Sequence, residues 1–196
     1  GTRIAVAITV PVVAMLGFAI TSVVDKQAVS AEMAKLQALA ELAPTVSALV
    51  HELQKERGMS AVFIGSGGKT FASDLPGQRA GTDARRQALE TALSGFAIES
   101  YGQGFTDNVA TANNAVAGLN GTRGKISDLS TSIGDMATYY SGTIAKLLRV
   151  VEDMTVLSND SGLTRTIAAY TAFLQAKERA GIERAMGGAG FGAGEF

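Results

Sequence analysis

Arg57 stands in line with an apolar stripe. Val46, Val50, Leu53, Arg57 and Ala61 follow one another at steps of four, three, four and four, which traces one face of an α-helix. A guanidinium in such a stripe is costly unless something negative meets it. Three answers are open: a carboxylate on a neighbouring helix, a side chain that snorkels to the surface, or an anion that arrives from outside. Arg184 poses the same question. Phe173, Ala176, Ala180 and Arg184 share a face of a second helix, with small residues that permit close packing. Arg179 and Lys177 fall on other faces of that helix. Two arginines on opposed helices have the chemistry to grip a planar oxyanion through paired N–H donors, a task that suits the rigid guanidinium fork better than lysine. Nitrate, planar and with three acceptor oxygens, fits that description. Without it the two guanidinium groups would repel each other, which gives binding a reason to change the conformation.

Other chemistries find less support. Gly65-Ser66-Gly67-Gly68-Lys69-Thr70 ends like a phosphate-binding loop, but Phe63 stands where that motif needs its first glycine, and a helix precedes it instead of a strand. His51-Glu52 opens like a zinc-peptidase phrase, yet its fifth position is Lys55. His51 is the only histidine and there is no cysteine, so thiol catalysis, disulfides and multi-histidine metal sites are excluded. No serine is marked as a nucleophile. Glu52 and Glu56 are expected to be solvated, or paired with Lys55 and Arg57. Seventeen basic and eighteen acidic residues leave a net charge of −1, which provides no field for nucleic acid. Neither enzyme activity nor a cofactor or metal is expected.

The elements that must carry these residues are helices. Ile4–Val24 runs for twenty-one residues without a charge, and about 20 apolar residues cross a bilayer. Pro11 and Gly17 are tolerated there, and Arg3 before the run agrees with a cytoplasmic start. A cleaved signal peptide is the rival, but its apolar region is shorter. Leu36, Leu39, Ala43, Val46, Val50, Leu53 and Arg57 predict a long helix over about 25–64, continuous with the span, with Pro44 placed to kink it. Gly65–Gly68 ends it. A second helix opens at Pro76, capped by Asp74 or Ser73, and ends at Gly95. Tyr101–Gly104 reads as a loop and Phe105–Leu119 as a helix. Gly121, Arg123 and Gly124 read as a turn. Ile133, Met136, Tyr140, Ile144, Leu147 and Val151 stripe a long helix over about 125–157. Ser158–Gly162 breaks it. A last helix covers 163–186, followed by a glycine-rich tail. Amphipathic helices joined by short polar breaks form a bundle.

These stretches resemble a known family. LVHELQKERGMSAVFIGSGG (49–68), DLPGQRAGTDARRQAL (74–89), YYSGTIAKLLRVV (139–151) and AAYTAFLQAKERAGIERAMGGAGFGAGEF (168–196) are similar, in order, to the nitrate- and nitrite-sensing (NIT) domain. The resemblance implies an all-helical input domain of chemotaxis transducers, histidine kinases and cyclases, and occasionally of cytoplasmic RNA-binding antiterminators. It implies nitrate or nitrite recognition by one arginine of the first long helix and another of a later one. Arg57 matches the first and Arg184 the second, with Arg179 the weaker candidate. The family's domain continues past the GFGAG phrase, so the domain is expected to be incomplete at its C-terminal end.

The expectation is therefore an all-α protein: a transmembrane helix and flank at 1–26, then an antiparallel helical bundle at 27–196. The bundle would lie outside the bacterial cytoplasmic membrane, which the chain crosses once or twice. It would bind a small anion, dimerise with a second copy, and signal to a cytoplasmic module of the same polypeptide. The rival expectation is a structural or protein-binding bundle with no anion.

Overall fold

A computed structural model describes the backbone at residues 2–157 and 161–193. Side chains are described at most of these positions from residue 29 onward, and before it at Met15, Phe18, Ala19 and residues 21–27. Every regular element among the described residues is helical: α1 (Thr2–Gly65), α2 (Leu75–Ser94), a 3-10 turn (Ile98–Tyr101), α3 (Gln103–Ala117), α4 (Leu119–Ser127), α5 (Ile133–Val156) and α6 (Ser161–Ala193). The chain divides into two compact units, residues 1–40 and residues 41–196. The first is the N-terminal part of α1. Most side chains of Ile4–Val24 lie outside the described residues, and among the described residues no helix is long and apolar enough to cross a membrane.

α1 is helical from end to end, Pro44 included. All seven residues of its expected stripe are buried, and so are Leu42, Ser47, Leu49, Gln54, Glu56, Ser60 and Ala61. A helix buried around so much of its perimeter is a central helix. Its end explains the glycine cluster. Gly67 and Gly68 take positive φ. Gly68 N donates to Phe63 O at 2.8 Å and Gly67 N to Ile64 O at 3.0 Å, the paired bonds of a Schellman cap. Those amides close the helix and are not aimed at a phosphate.

α2 begins at Leu75 with Pro76 in its first turn, and Gly95 ends it. Asp74 occupies the cap position but its side chain makes no capping bond. Phe96, Tyr101 and Phe105 cluster about the 3-10 turn, Phe96 stacked on Tyr101 at 4.9 Å. α3 starts at Gln103, inside the expected loop. It packs on α5, where Tyr139 donates its hydroxyl proton to Ala115 O at 2.7 Å and Asn108 bonds Asp153 at 2.6 Å.

Three expectations are corrected here. Gly121–Gly124 is no turn but the middle of α4, and Arg123 is buried within it. The helix expected over 125–157 is divided: α4 closes with Ser130 N on Lys125 O and Leu129 N on Ile126 O, and Leu129 adopts φ +52°. A fresh helix starts behind Ser132, whose Oγ accepts from Asp135 N at 3.0 Å. The glycine-rich tail is likewise helical, as α6 runs on to Ala193. Ser132→Ala removes that cap and should cost about 1 kcal/mol, read as a lower midpoint in urea with an unchanged slope. An unmoved midpoint would mean that the cap adds nothing.

Residues 51, 54, 57 and 62 of α1 meet residues 177, 178, 181 and 188 of α6 in rising order. These stretches therefore run parallel, and the bundle is not antiparallel throughout. Glycine lets them approach. A Cβ at Gly188 would lie 3.2 Å from Val62 Cγ2, and one at Gly181 would lie 2.9 Å from Arg57 Nη2.

Candidate functional site

The phrase Lys55-Glu56-Arg57 places two opposite charges side by side on the central helix, both 0% exposed. Consecutive helical residues point about 100° apart, so the two serve different neighbours. Each finds a partner of opposite sign.

Glu56 faces α4 and α5. Arg123 grips it with both nitrogens, Nε to Oε1 at 2.7 Å and Nη2 to Oε2 at 2.9 Å. Tyr140 donates its hydroxyl to Oε1 at 2.8 Å. Arg123 also reaches Asp83 at 2.8 Å and the carbonyl of Arg79 at 3.2 Å. Burial works against the Arg123 charge, but Glu56 and Asp83 outweigh it and hold the guanidinium ionised. Burial and the adjoining carboxylate push the Tyr140 phenol far above its usual range, so it remains a donor. The expectation that Glu56 is solvated or paired with Lys55 and Arg57 is overturned. It is Glu52 that meets Lys55, at 2.6 Å.

Arg57 faces α5 and α6. Nη1 donates to Glu178 Oε1 at 2.5 Å and to Ser141 Oγ at 2.8 Å, and Nη2 donates to Glu178 Oε2 at 3.3 Å. Gln54 Nε2 donates to the same Oε2 at 2.8 Å. Arg57 Nε is buried with no hydrogen-bond partner among the described residues. The Arg57 partner that spacing left open is thus a carboxylate on a neighbouring helix. It comes from Lys177-Glu178-Arg179, the phrase that echoes Lys55-Glu56-Arg57. Glu178 also borders a groove of about 240 Å³ with Arg149, Glu152, Gln175 and Arg179.

The face of α6 expected to carry Arg184 inward is turned to solvent. Phe173 is 64% exposed, and Ala176, Ala180 and Arg184 are exposed too. The buried face is Ile167, Thr171, Leu174, Glu178, Gly181 and Ala185. Arg179 is exposed at the groove. The structure places Arg57 at the centre of a polar cluster that spacing did not assemble: Gln54, Ser141 and Glu178.

Beside the cluster, Lys177 Nζ lies 3.0 Å from His51 Nδ1. Desolvation first, then the Lys177 charge, lower the His51 pKa from 6.5. The unfolded chain therefore binds this proton more readily than the folded one. The neutral ring's contribution to stability is present above pH 6.5 and is lost as pH falls below it. Ring-proton NMR should place the titration below 6.5, and Lys177→Ala should move it upward. A titration that ignores Lys177 would remove that lysine as a cause.

A helical bundle with a buried arginine that presents donors to a planar two-oxygen group is an arrangement suited to anion recognition. Residues 48–196 match the family described as nitrate and nitrite sensing, NIT, and the chain belongs to that family. It is 31% identical over 155 residues to the nitrate regulatory protein of Klebsiella oxytoca, which spans 79% of this chain but only 39% of that protein. The structure of the NasR transcription antiterminator superposes with a TM-score of 0.78 at 30% identity. It covers 89% of this chain and 49% of the other.

Proposed function

We propose that this chain is the signal-input part of a bacterial membrane receptor, a chemotaxis transducer or sensor kinase, that binds nitrate or nitrite on Arg57. Arg184 and Arg179, both exposed on α6 in the arrangement described, close on the anion when it binds, and no chemistry is performed on it. Ile4–Val24 crosses the cytoplasmic membrane, once or with a second pass elsewhere. The bundle lies outside the membrane, pairs with a second copy, and signals to a cytoplasmic module of the same polypeptide. The observation that carries the anion site is Arg57 itself: fully buried, holding a planar carboxylate through both terminal nitrogens, in a chain of the NIT family. The membrane assignment is supported by the charge-free run alone.

Calorimetric titration of the full chain in detergent with nitrate, nitrite and chloride tests this. Saturable heat with nitrate or nitrite and none with chloride is expected. A folded chain that gives no heat with any of them sinks the reading. A second reading is favoured by the Arg57–Glu178 pair: a dimerising or protein-binding bundle in which that pair is purely internal. The same titration separates the two.

A further inference from the structure

Glu178 is the buried charge that a simple anion pocket does not need. A carboxylate is planar, carries one negative charge and offers oxygens about as far apart as those of nitrite or nitrate. It is held here as such an anion would be held, on two nitrogens of Arg57 and on Gln54 Nε2. Ser141 touches the same Arg57 nitrogen. Gly181 lets the backbone of α6 close directly over the guanidinium, since a Cβ there would come within 2.9 Å of it. The Nε donor of Arg57 is buried and has no hydrogen-bond partner among the described residues.

We propose that Glu178 is a built-in competitor: its carboxylate occupies the anion position on Arg57 and Gln54, beside Ser141, and nitrate or nitrite binds by displacing it. This rests on the anion reading given above. It adds Gln54 and Ser141 as ligand contacts and gives the signal a cause, because the ligand exchanges places with a side chain of α6. The exchange does not strand a charge. Glu178 already borders the groove that holds Arg149 and Arg179. At 3.6 residues per turn, Glu178 and Arg184 lie about 60° to either side of Gly181 on the helix. A turn of α6 that withdraws the first therefore advances the second toward Arg57, replacing a repelling carboxylate with an attracting guanidinium. An anion that prefers the turned arrangement shifts the population toward it.

The test compares wild type with Glu178→Gln, which keeps the shape and removes the charge. The full chain in detergent is titrated with sodium nitrate and sodium nitrite, and its melting temperature is followed with each salt and with chloride. Glu178→Gln is expected to bind at least tenfold tighter. Nitrate should also raise its melting temperature more than it raises the wild type's, because the anion supplies the missing charge to Arg57. Equal or weaker affinity in Glu178→Gln overturns the competitor role while leaving an anion sensor in place. No binding by either folded protein overturns the competitor and the anion site together. If Glu178→Gln does not fold, Glu178→Asp, which retains the charge but withdraws it from Arg57, carries the same comparison. Tighter nitrate binding is then expected, and unchanged binding counts against the proposal.

Discussion

Replacing Arg123 with alanine lowers the stability of the bundle by about 3–5 kcal/mol, the usual cost of breaking a buried ion pair from one side. At roughly 2–4 °C per kcal/mol for a chain of this size, the melting temperature falls by about 6–20 °C. Glu56 is the reason. It is 0% exposed, and Arg123 supplies two of its short bonds, at 2.7 and 2.9 Å. Among the described residues Tyr140 remains to it as a hydrogen-bond donor, and Arg79 Nε stands farther off, 4.0 Å from Oε1. A carboxylate so placed must draw Arg79 closer, take up a proton, draw in water or leave its position, and each route loosens the contact of α4 and α5 with the central helix. Removing both charges together, as Glu56→Leu with Arg123→Met, should recover much of the loss, because neither buried charge of the pair is then left without the other, although the Tyr140 hydroxyl loses its acceptor. A single variant that melts within 1 °C of wild type would show that Glu56 is satisfied by other means.

Arg57→Ala abolishes nitrate and nitrite binding. Two charge-assisted hydrogen bonds at about 1.5–3 kcal/mol each amount to a loss on the order of a hundredfold or greater, beyond the reach of calorimetry. The pairing with Glu178 alters how this variant is read. Binding loss and destabilisation are now expected together, because Glu178 loses its partner. The cost is smaller than for Arg123, about 2 kcal/mol, since Glu178 stands at the edge of a groove where water can reach it. Melting curves alone therefore do not distinguish a sensor from a spacer, and the titration decides. Undiminished nitrate affinity in Arg57→Ala would move the site elsewhere in the bundle.

The central helix was legible because large aliphatic residues mark its faces. The stripe from Leu36 to Arg57 is buried at every position. The stripe of α5 is buried at each position but Ile133, which is half-buried. α6 was misread for the opposite reason. Its buried face holds Ile167 and Leu174, but also Thr171, Glu178, Gly181 and Ala185, which carry almost no apolar signal, while the conspicuous Phe173 points outward. The same scarcity of large side chains made the helical stretch from Gly187 to Ala193 look like a tail. The division between α4 and α5 has neither proline nor glycine at 128–132, and its signal is the pair Ser132 and Asp135, a capping sequence. Arg57 was found by its place in a stripe. Its partner could not be, because spacing along one helix says nothing about which residue of another comes opposite it.

The close approach of α1 and α6 at Gly181 and Gly188 has a mechanical consequence. Side chains that interdigitate act as teeth, and a helix held by teeth moves in whole steps. Where glycine replaces the teeth, the surface of α6 facing Arg57 and Val62 is smooth. Little steric resistance opposes small turns or slides there, and the register is kept by polar pins, the bonds of Glu178 to Arg57 and Gln54 and the contact of Lys177 with His51. A track of that kind is stiff while its pins are seated and compliant once they are drawn.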